Sequence, residues 1–214
     1  MLRPQFVASA IFAALTFHGA LPAIAQNYPS KPIRIVTAAA GGGIDFAARM
    51  IAQGLTGALG QQVIVDNRGG SAVVAADLVA SAPADGHTLL YYGSGVWLAP
   101  FMGGKVPYDP VKSFAPITLS TSAPNVLVVT PSLPFNSVKE LVAYGRAKPG
   151  AISYASAGSG GSSHLAAELF KSVAGVDMLR IAYRGTAPAL TGVASGEVNV
   201  MFSQTTAATP FIQS

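Results

Sequence analysis

Few side chains in this sequence have the chemistry to make or break a bond. Among 214 residues there are nine Asp or Glu, thirteen Lys or Arg, three His and no Cys. The missing cysteine removes a thiol nucleophile, a thiolate metal site and a disulfide framework. Ser163 and His164 are of the right types for a nucleophile and its base, but they are adjacent, and neighbours on a helix do not face each other. No GxSxG elbow is present. A secreted hydrolase would therefore need some other Ser–His pair within hydrogen-bond reach in a cleft. Beyond residue 25 only His87 and His164 remain, far apart and without clustered carboxylates, which argues against a metal centre. His87 follows Gly86 in a turn and reads as a histidine at the start of a strand.

What the chain does concentrate is glycine, serine, threonine and alanine, in residues 38–45, 155–164 and 183–187. Gly41-Gly42-Gly43 continues as Ile44-Asp45-Phe46, and Gly158-Ser159-Gly160 as Gly161-Ser162-Ser163. Neither completes GxGxxG, and no GxxxxGK[ST] exists, so nucleotide binding is not indicated. Asp45 in a first helical turn would repel a phosphate but is placed to accept from backbone amides. Each stretch reads as a strand-to-helix junction, which in a parallel α/β sheet lies where ligands bind. Such junctions offer unpaired N–H groups at a helix start, though ordinary glycine-rich turns look the same. A hydrogen bond to a charged group contributes about 1.5–3 kcal/mol net. Three or four therefore approach the roughly 8 kcal/mol of micromolar binding without any arginine. Capture of a small carboxylate by main-chain donors suits a chain this poor in charge. Trp97, Tyr91 and Tyr92 suit either a pocket wall or a core.

The balance of charge is +4 with the basic residues scattered singly. A nucleic-acid partner requires a stripe or patch of positive charge, and none is present.

The elements that must carry these junctions alternate β-branched runs with helical stretches, as in an α/β fold with a largely parallel sheet. Strands are expected at residues 33–37, 63–65, 88–92, 117–119, 126–130, 152–155, 178–182 and 198–202. Helices are expected from about Ile44, near residues 72–81, from Ser137 to Lys148, along Leu165, Leu169 and Val173 to Gly175, and from about Thr186. Ser137 with Glu140 forms a capping box, and Pro149-Gly150 ends that helix. No low-complexity linker divides the chain, so a boundary near residues 120–124 is a crossing strand or hinge.

Residues 1–25 carry Arg3, an apolar stretch from Phe6 to Phe17 and an A-x-A signal at Ala23-Ile24-Ala25. That is the pattern of a secretory signal peptide cleaved after Ala25. The apolar run falls short of the roughly 20 residues needed to span a bilayer.

Several motifs together now identify a likeness. Tyr28-Pro29-Ser30-Lys31-Pro32-Ile33-Arg34 is followed by Gly42-Gly43-Ile44-Asp45, Gln62-Val63-Ile64-Val65-Asp66-Asn67-Arg68 and Pro83-Ala84-Asp85-Gly86-His87-Thr88-Leu89. Further on stand Val106-Pro107-Tyr108-Asp109-Pro110, Ser163-His164-Leu165-Ala166-Ala167-Glu168-Leu169-Phe170 and Tyr183-Arg184-Gly185-Thr186-Ala187-Pro188. The chain after residue 25 resembles extracytoplasmic solute receptors of the tripartite tricarboxylate transporter family, the Bug or TctC type. The resemblance implies a two-lobed, type II periplasmic-binding-protein-like (Venus flytrap) α/β fold, monomeric, periplasmic, with no enzymatic activity and no cofactor. Residues 26–120 would form the present part of lobe one and residues 121–214 lobe two. A small organic acid would be held between the lobes and delivered to the membrane permease subunits of a tripartite transporter. Carried over by position, the ligand contacts are Ala39, Ala40, Gly41, Gly42, Gly43, Gly93 and Ser94, with Ser156, Ala157, Gly158, Ser159, Ser163, Tyr183, Arg184, Gly185 and Thr186.

The chain departs from its look-alikes in three places. Ala38-Ala39-Ala40 stands where they usually carry prolines, and Ser203 where many have an acidic residue. The second change favours a plain carboxylate over an amino acid. The resembling chains also continue and return to lobe one, whereas this one stops at Ser214 in lobe two. Lobe one is accordingly expected to be incomplete with an apolar face uncovered, and the 214-residue product to be marginally stable or to aggregate, and to bind ligand weakly if at all. An alternative from the signalling class is a receptor that presents its closed form to a sensor protein.

Overall fold

Short segments of three to five residues, most of them rich in β-branched and apolar side chains, need neighbours to satisfy their backbone, and they find them in two sheets. The computed structural model describes residues 27–103 and 105–213; the expected leader, residues 1–25, lies outside them. Lys31–Ser214 forms one compact unit, and every element below lies in it.

In the first sheet β1 (Ile33–Thr37) runs parallel to both β2 (Val63–Asn67) and β3 (Thr88–Leu90), in the order β2-β1-β3. The crossovers are α1 (Gly43–Leu59) and α2 (Ala72–Ala80). Central β1 is the most deeply buried strand, and Ile35 packs on Ala48 and Ala52 of α1, where small side chains let the helix approach the sheet. Gly60 in the left-handed conformation ends α1, its N–H donating to Thr56 O at 3.2 Å. A short helix α3 (Gly95–Leu98) and a 3₁₀ turn (Ala99–Met102) follow β3.

The second sheet has the order β4-β7-β5-β6, built from β4 (Asn125–Val129), β5 (Ile152–Ser156), β6 (Met178–Ala182) and β7 (Val200–Gln204). β5 is parallel to β6 and β7, while β4 is an antiparallel edge strand on β7. Alternation along the strands feeds two cores. Ile152, Tyr154 and Val200 face one cluster with Leu141 and Met178, and Ala155 and Met201 face the other with Leu190 and Val193. Each large side chain buried there contributes about 1.5–3 kcal/mol. The helices are α4 (Val138–Ala147), α5 (Ser162–Ala174), α6 (Thr186–Ala194) and α7 (Thr205–Ile212). The cap of α4 forms as expected at one end, Glu140 N–H donating to Ser137 Oγ at 3.2 Å. The Glu140 carboxylate, however, accepts from Asn136 N–H at 2.8 Å rather than from Ser137.

Three expectations need correction. Residues 117–119 are not a strand: no ladder partner runs beside them, and Ile117 and Leu119 are 77% and 87% exposed. The row Leu165, Leu169, Val173 does not face the core, since Leu169 and Val173 are exposed. Instead Ala167, with partly buried Phe170 and Ala174, packs on the sheet, because the first turn spends Ser163 and His164 inward on the preceding loop. The last expected strand, 198–202, is observed two residues later, and α7, with Pro210 inside it, gave no sequence signal.

Candidate functional site

The carboxyl ends of all six parallel strands open onto one cleft, and each brings a different set of small residues to it. After β1 the chain turns through Gly41 (φ +81°), whose N–H donates to Asp45 Oδ2 at 3.0 Å. The other carboxylate oxygen accepts from Asn67 Nδ2 at 2.7 Å, and Arg49 Nε donates to Oδ2 at 3.1 Å. Asn67 also donates to Ala38 O at 2.8 Å, so the end of β2 fixes the exit from β1. Burial pushes the Asp45 carboxyl up, but the hydrogen bonds from Arg49, Asn67 and Gly41 and the Arg49 charge outweigh it and hold the group below the usual carboxylate range. Asp45 thus caps backbone within its own loop and stands outside the cleft lining.

After β5 the loop is pinned from within α5. Ser163 Oγ accepts from Ala157 N–H at 3.1 Å, and His164 Nδ1 accepts from Gly160 N–H at 3.1 Å. A neutral ring that accepts at Nδ1 carries its proton on Nε2. Burial first, then the Arg180 charge, with Lys171 adding and Glu168 opposing, depresses the His164 pKa below the ordinary histidine value. Serine and histidine here bond different backbone amides and form no nucleophile–base pair. From β6, Arg180 reaches the same loop, Nε to Ser156 Oγ at 2.8 Å and Nη2 to Ser159 Oγ at 3.0 Å.

Helices α1, α5 and α6 all begin behind a glycine, Gly42, Gly161 and Gly185, and none has a side-chain cap. Helix α4, away from the cleft, is capped by Ser137, and α2 by Ser71. Three helix starts at one cleft thus keep first-turn N–H groups that a Ser or Asp cap would have satisfied. The two sheets approach closely there. A methyl on Gly42 would sit 3.1 Å from Thr186 Oγ1, and one on Gly43 would collide with Gln204 Oε1 and lie 2.6 Å from Thr206 Oγ1.

Of the residues singled out from sequence, Ala39, Gly42, Ala157, Gly158, Ser159, Ser163, Gly185 and Thr186 line the cleft. Others sit behind it. Gly41 shapes the turn, Gly43 is buried against Gln204, and Ser156 is buried and bonded to Arg180. Gly93 and Ser94 start α3, their carbonyls accepting from Val96 and from Trp97 and Leu98. Ala40 and Arg184 are exposed, and the Tyr183 ring lies over Gly192 in the second core. The lining also includes Gly70, Ala72, Tyr92, Gly95 and the end of β7, Met201, Phe202, Ser203 and Gln204. Of this β7 edge, sequence reading reached only Ser203, through its bearing on the ligand's charge; β7 being parallel to β5 places the rest of its carboxyl end there as well.

Among the described residues, no Asp, Glu, Lys or Arg lines the cleft. Ser163 Oγ and Ser159 Oγ each accept one N–H donor and keep their own proton, with a second lone pair, for a further partner. The volume is about 80 Å³ counted as space for water-sized centres, several times what one water needs. The arrangement is an uncharged cavity with a largely apolar wall, to which the helix starts and serine hydroxyls bring hydrogen-bond donors suited to an anion.

Comparison with known proteins agrees with that geometry. A UPF0065 protein from the tcbD–tcbE intergenic region of a Pseudomonas species is 40% identical over 181 residues, 84% of this chain and 54% of its own length. Protein BugT of Bordetella pertussis is 36% identical over 197 residues, 90% of this chain and 58% of its own. The chain therefore spans little more than half the length of these relatives. The solved periplasmic binding protein BugD superposes with a TM-score of 0.79 at 36% identity, covering 87% of this chain and 63% of that one. MatC from Rhodopseudomonas palustris, with bound malate, gives 0.79 at 30% identity over 87% and 64%. An R. palustris protein with adipate gives 0.79 at 34% identity over 87% and 63%. The family and these structural neighbours are solute-binding proteins, not enzymes. With residues 47–214 matching the tripartite tricarboxylate transporter family receptor and the fold shared with its solved members, the chain belongs to that receptor family.

Proposed function

We propose that this chain is a periplasmic receptor that holds a small organic carboxylate in the cleft between its two sheets. The observation that supports it most is the set of donors at that cleft: three uncapped helix starts and two serine hydroxyls whose protons are free, with no carboxylate or cation among the described lining residues. Such donors favour an anion and do little for a neutral or cationic ligand. The bound malate and adipate of the structural neighbours point to the same ligand class.

In this reading the sheets belong to two lobes, residues 26–120 and 121–214, and ligand capture draws them together around the crossing near residues 120–124. Residues 1–25 direct export and are removed after Ala25. The loaded receptor hands its ligand to the permease subunits of a tripartite transporter. The proposed contacts are the cleft-lining set, with Gly42, Ser159, Ser163, Gly185 and Thr186 supplying the donors.

A thermal-shift screen of dicarboxylates, tricarboxylates, aromatic acids and acidic amino acids tests the proposal. At least one carboxylate is expected to raise the melting temperature with a saturating dose response. A flat response to the whole panel contradicts the receptor reading. Ser203, buried at the cleft where many look-alikes carry an acid, leaves a ligand ammonium without a partner. An amino acid should therefore bind more weakly than its deaminated analogue in calorimetry, and the reverse order would refute this assignment.

A further inference from the structure

Among the described lysines and arginines, Lys105, Lys139, Arg146, Lys148, Arg180 and Arg184 form no ion pair. Five of these six are exposed to solvent, and only Arg180 is half-buried. A guanidinium partly withdrawn from water is a candidate for pairing with a carboxylate, and this one keeps its Nη2 end at the surface. Arg180 has instead two serine hydroxyls, Ser156 Oγ at 2.8 Å and Ser159 Oγ at 3.0 Å, and among the described residues its remaining N–H groups meet no further acceptor. Both serines belong to the stretch that follows β5 into the cleft, and Ser159 lines it.

We propose that Arg180 is the charge-selecting positioning residue of the cleft, its missing counter-charge being supplied by a second carboxylate of the bound ligand. This rests on the carboxylate-receptor reading and narrows it to dianions. Arg180 acts one step behind the lining. By donating to Ser159 it fixes that oxygen as an acceptor and turns the hydroxyl proton toward the ligand. Its positive charge, held one hydroxyl away, favours a ligand that brings negative charge at that end as well as at the helix starts. The assignment was invisible in sequence because Arg180 sits 24 and 21 positions from its partners and the β5–β6 pairing alone brings them together.

The test is calorimetry of the protein with adipate against hexanoate, and with malate against 2-hydroxybutyrate, pairs that differ by one carboxylate. Wild type should prefer the dianion of at least one pair. R180Q loosens Ser159 and so should weaken both ligands, but it should weaken the dianion more, cutting the preference on the order of tenfold, and R180K should restore part of that preference, keeping the charge without the fork. Equal weakening of dianion and monoanion by R180Q, or R180K no better than R180Q, overturns the proposal and leaves the receptor reading standing. Should R180Q fail to fold, wild type still decides. The preference should shrink between about 10 mM and about 500 mM salt if charge carries it, and a salt-insensitive preference overturns it. Binding of monoanions alone also overturns it, whereas binding of no carboxylate at all sinks the receptor reading with it.

Discussion

Ser163 does two jobs with one oxygen. It accepts the Ala157 N–H, which holds the loop after β5, and it keeps a proton for the cleft. Ser163→Ala removes both, leaving a backbone donor in a buried setting at a cost of about 1–3 kcal/mol. Carboxylate affinity should fall roughly tenfold or more by calorimetry, with a lower melting temperature, and an unchanged affinity would show that the hydroxyl does not face the ligand. His164 beside it makes the loop sensitive to pH. Buried, and next to Arg180 and Lys171 with only Glu168 opposing, it has a folded-state pKa below its unfolded value of about 6.5. Between those two values the unfolded chain binds more protons, so stability rises with pH through that window. It is complete above the unfolded pKa and is lost as pH falls toward the folded one. Thermal melts should therefore show wild type losing stability below about pH 6.5, with a shallower slope in His164→Gln. Equal slopes would remove His164 from the account.

At the level of elements, the glycines divide by backbone conformation, and their substitutions should have opposite signs. Gly158 sits at φ +141° with the Gly70 carbonyl 3.1 Å from where a methyl would be, so Gly158→Ala strains the loop and pushes the two sheets apart. A cost of about 1–3 kcal/mol is expected, read as a lower melting temperature together with weaker ligand binding. Gly57, exposed inside α1 with open space around it, should give the reverse, Gly57→Ala adding about 0.5–1 kcal/mol. Destabilisation by both would mean that α1 packs differently. The elements that sequence located well are those with local causes. β1 is bounded as expected because four β-branched residues around Arg34 give way to a run of alanine and glycine, and α5 stops at Gly175 because that residue is left-handed (φ +59°). The buried face of α5 was misread because two helical rows are apolar, and hydrogen bonds to the preceding loop, not hydropathy, choose between them. The β7 edge and Arg180 depend on which strands pair, and no local spacing encodes that.

For the molecule as a whole, two small sheets place six strand ends around one cavity, and the chemistry of that cavity follows from what was left uncapped rather than from any reactive group. Close glycine contacts between the first-sheet loop at residues 41–43 and residues 186–187 and 204–206 bring the donors within reach of one small ligand. The central claim is that main-chain and hydroxyl donors in this cavity recognise negative charge. The direct measurement is a calorimetric titration with the best carboxylate of the screen and with its own amide, identical in skeleton but uncharged. The carboxylate should bind at least about tenfold more tightly, whatever its absolute affinity, since bonds to a charged acceptor are roughly twice as strong as neutral ones. An amide that binds as well as its acid would contradict the account.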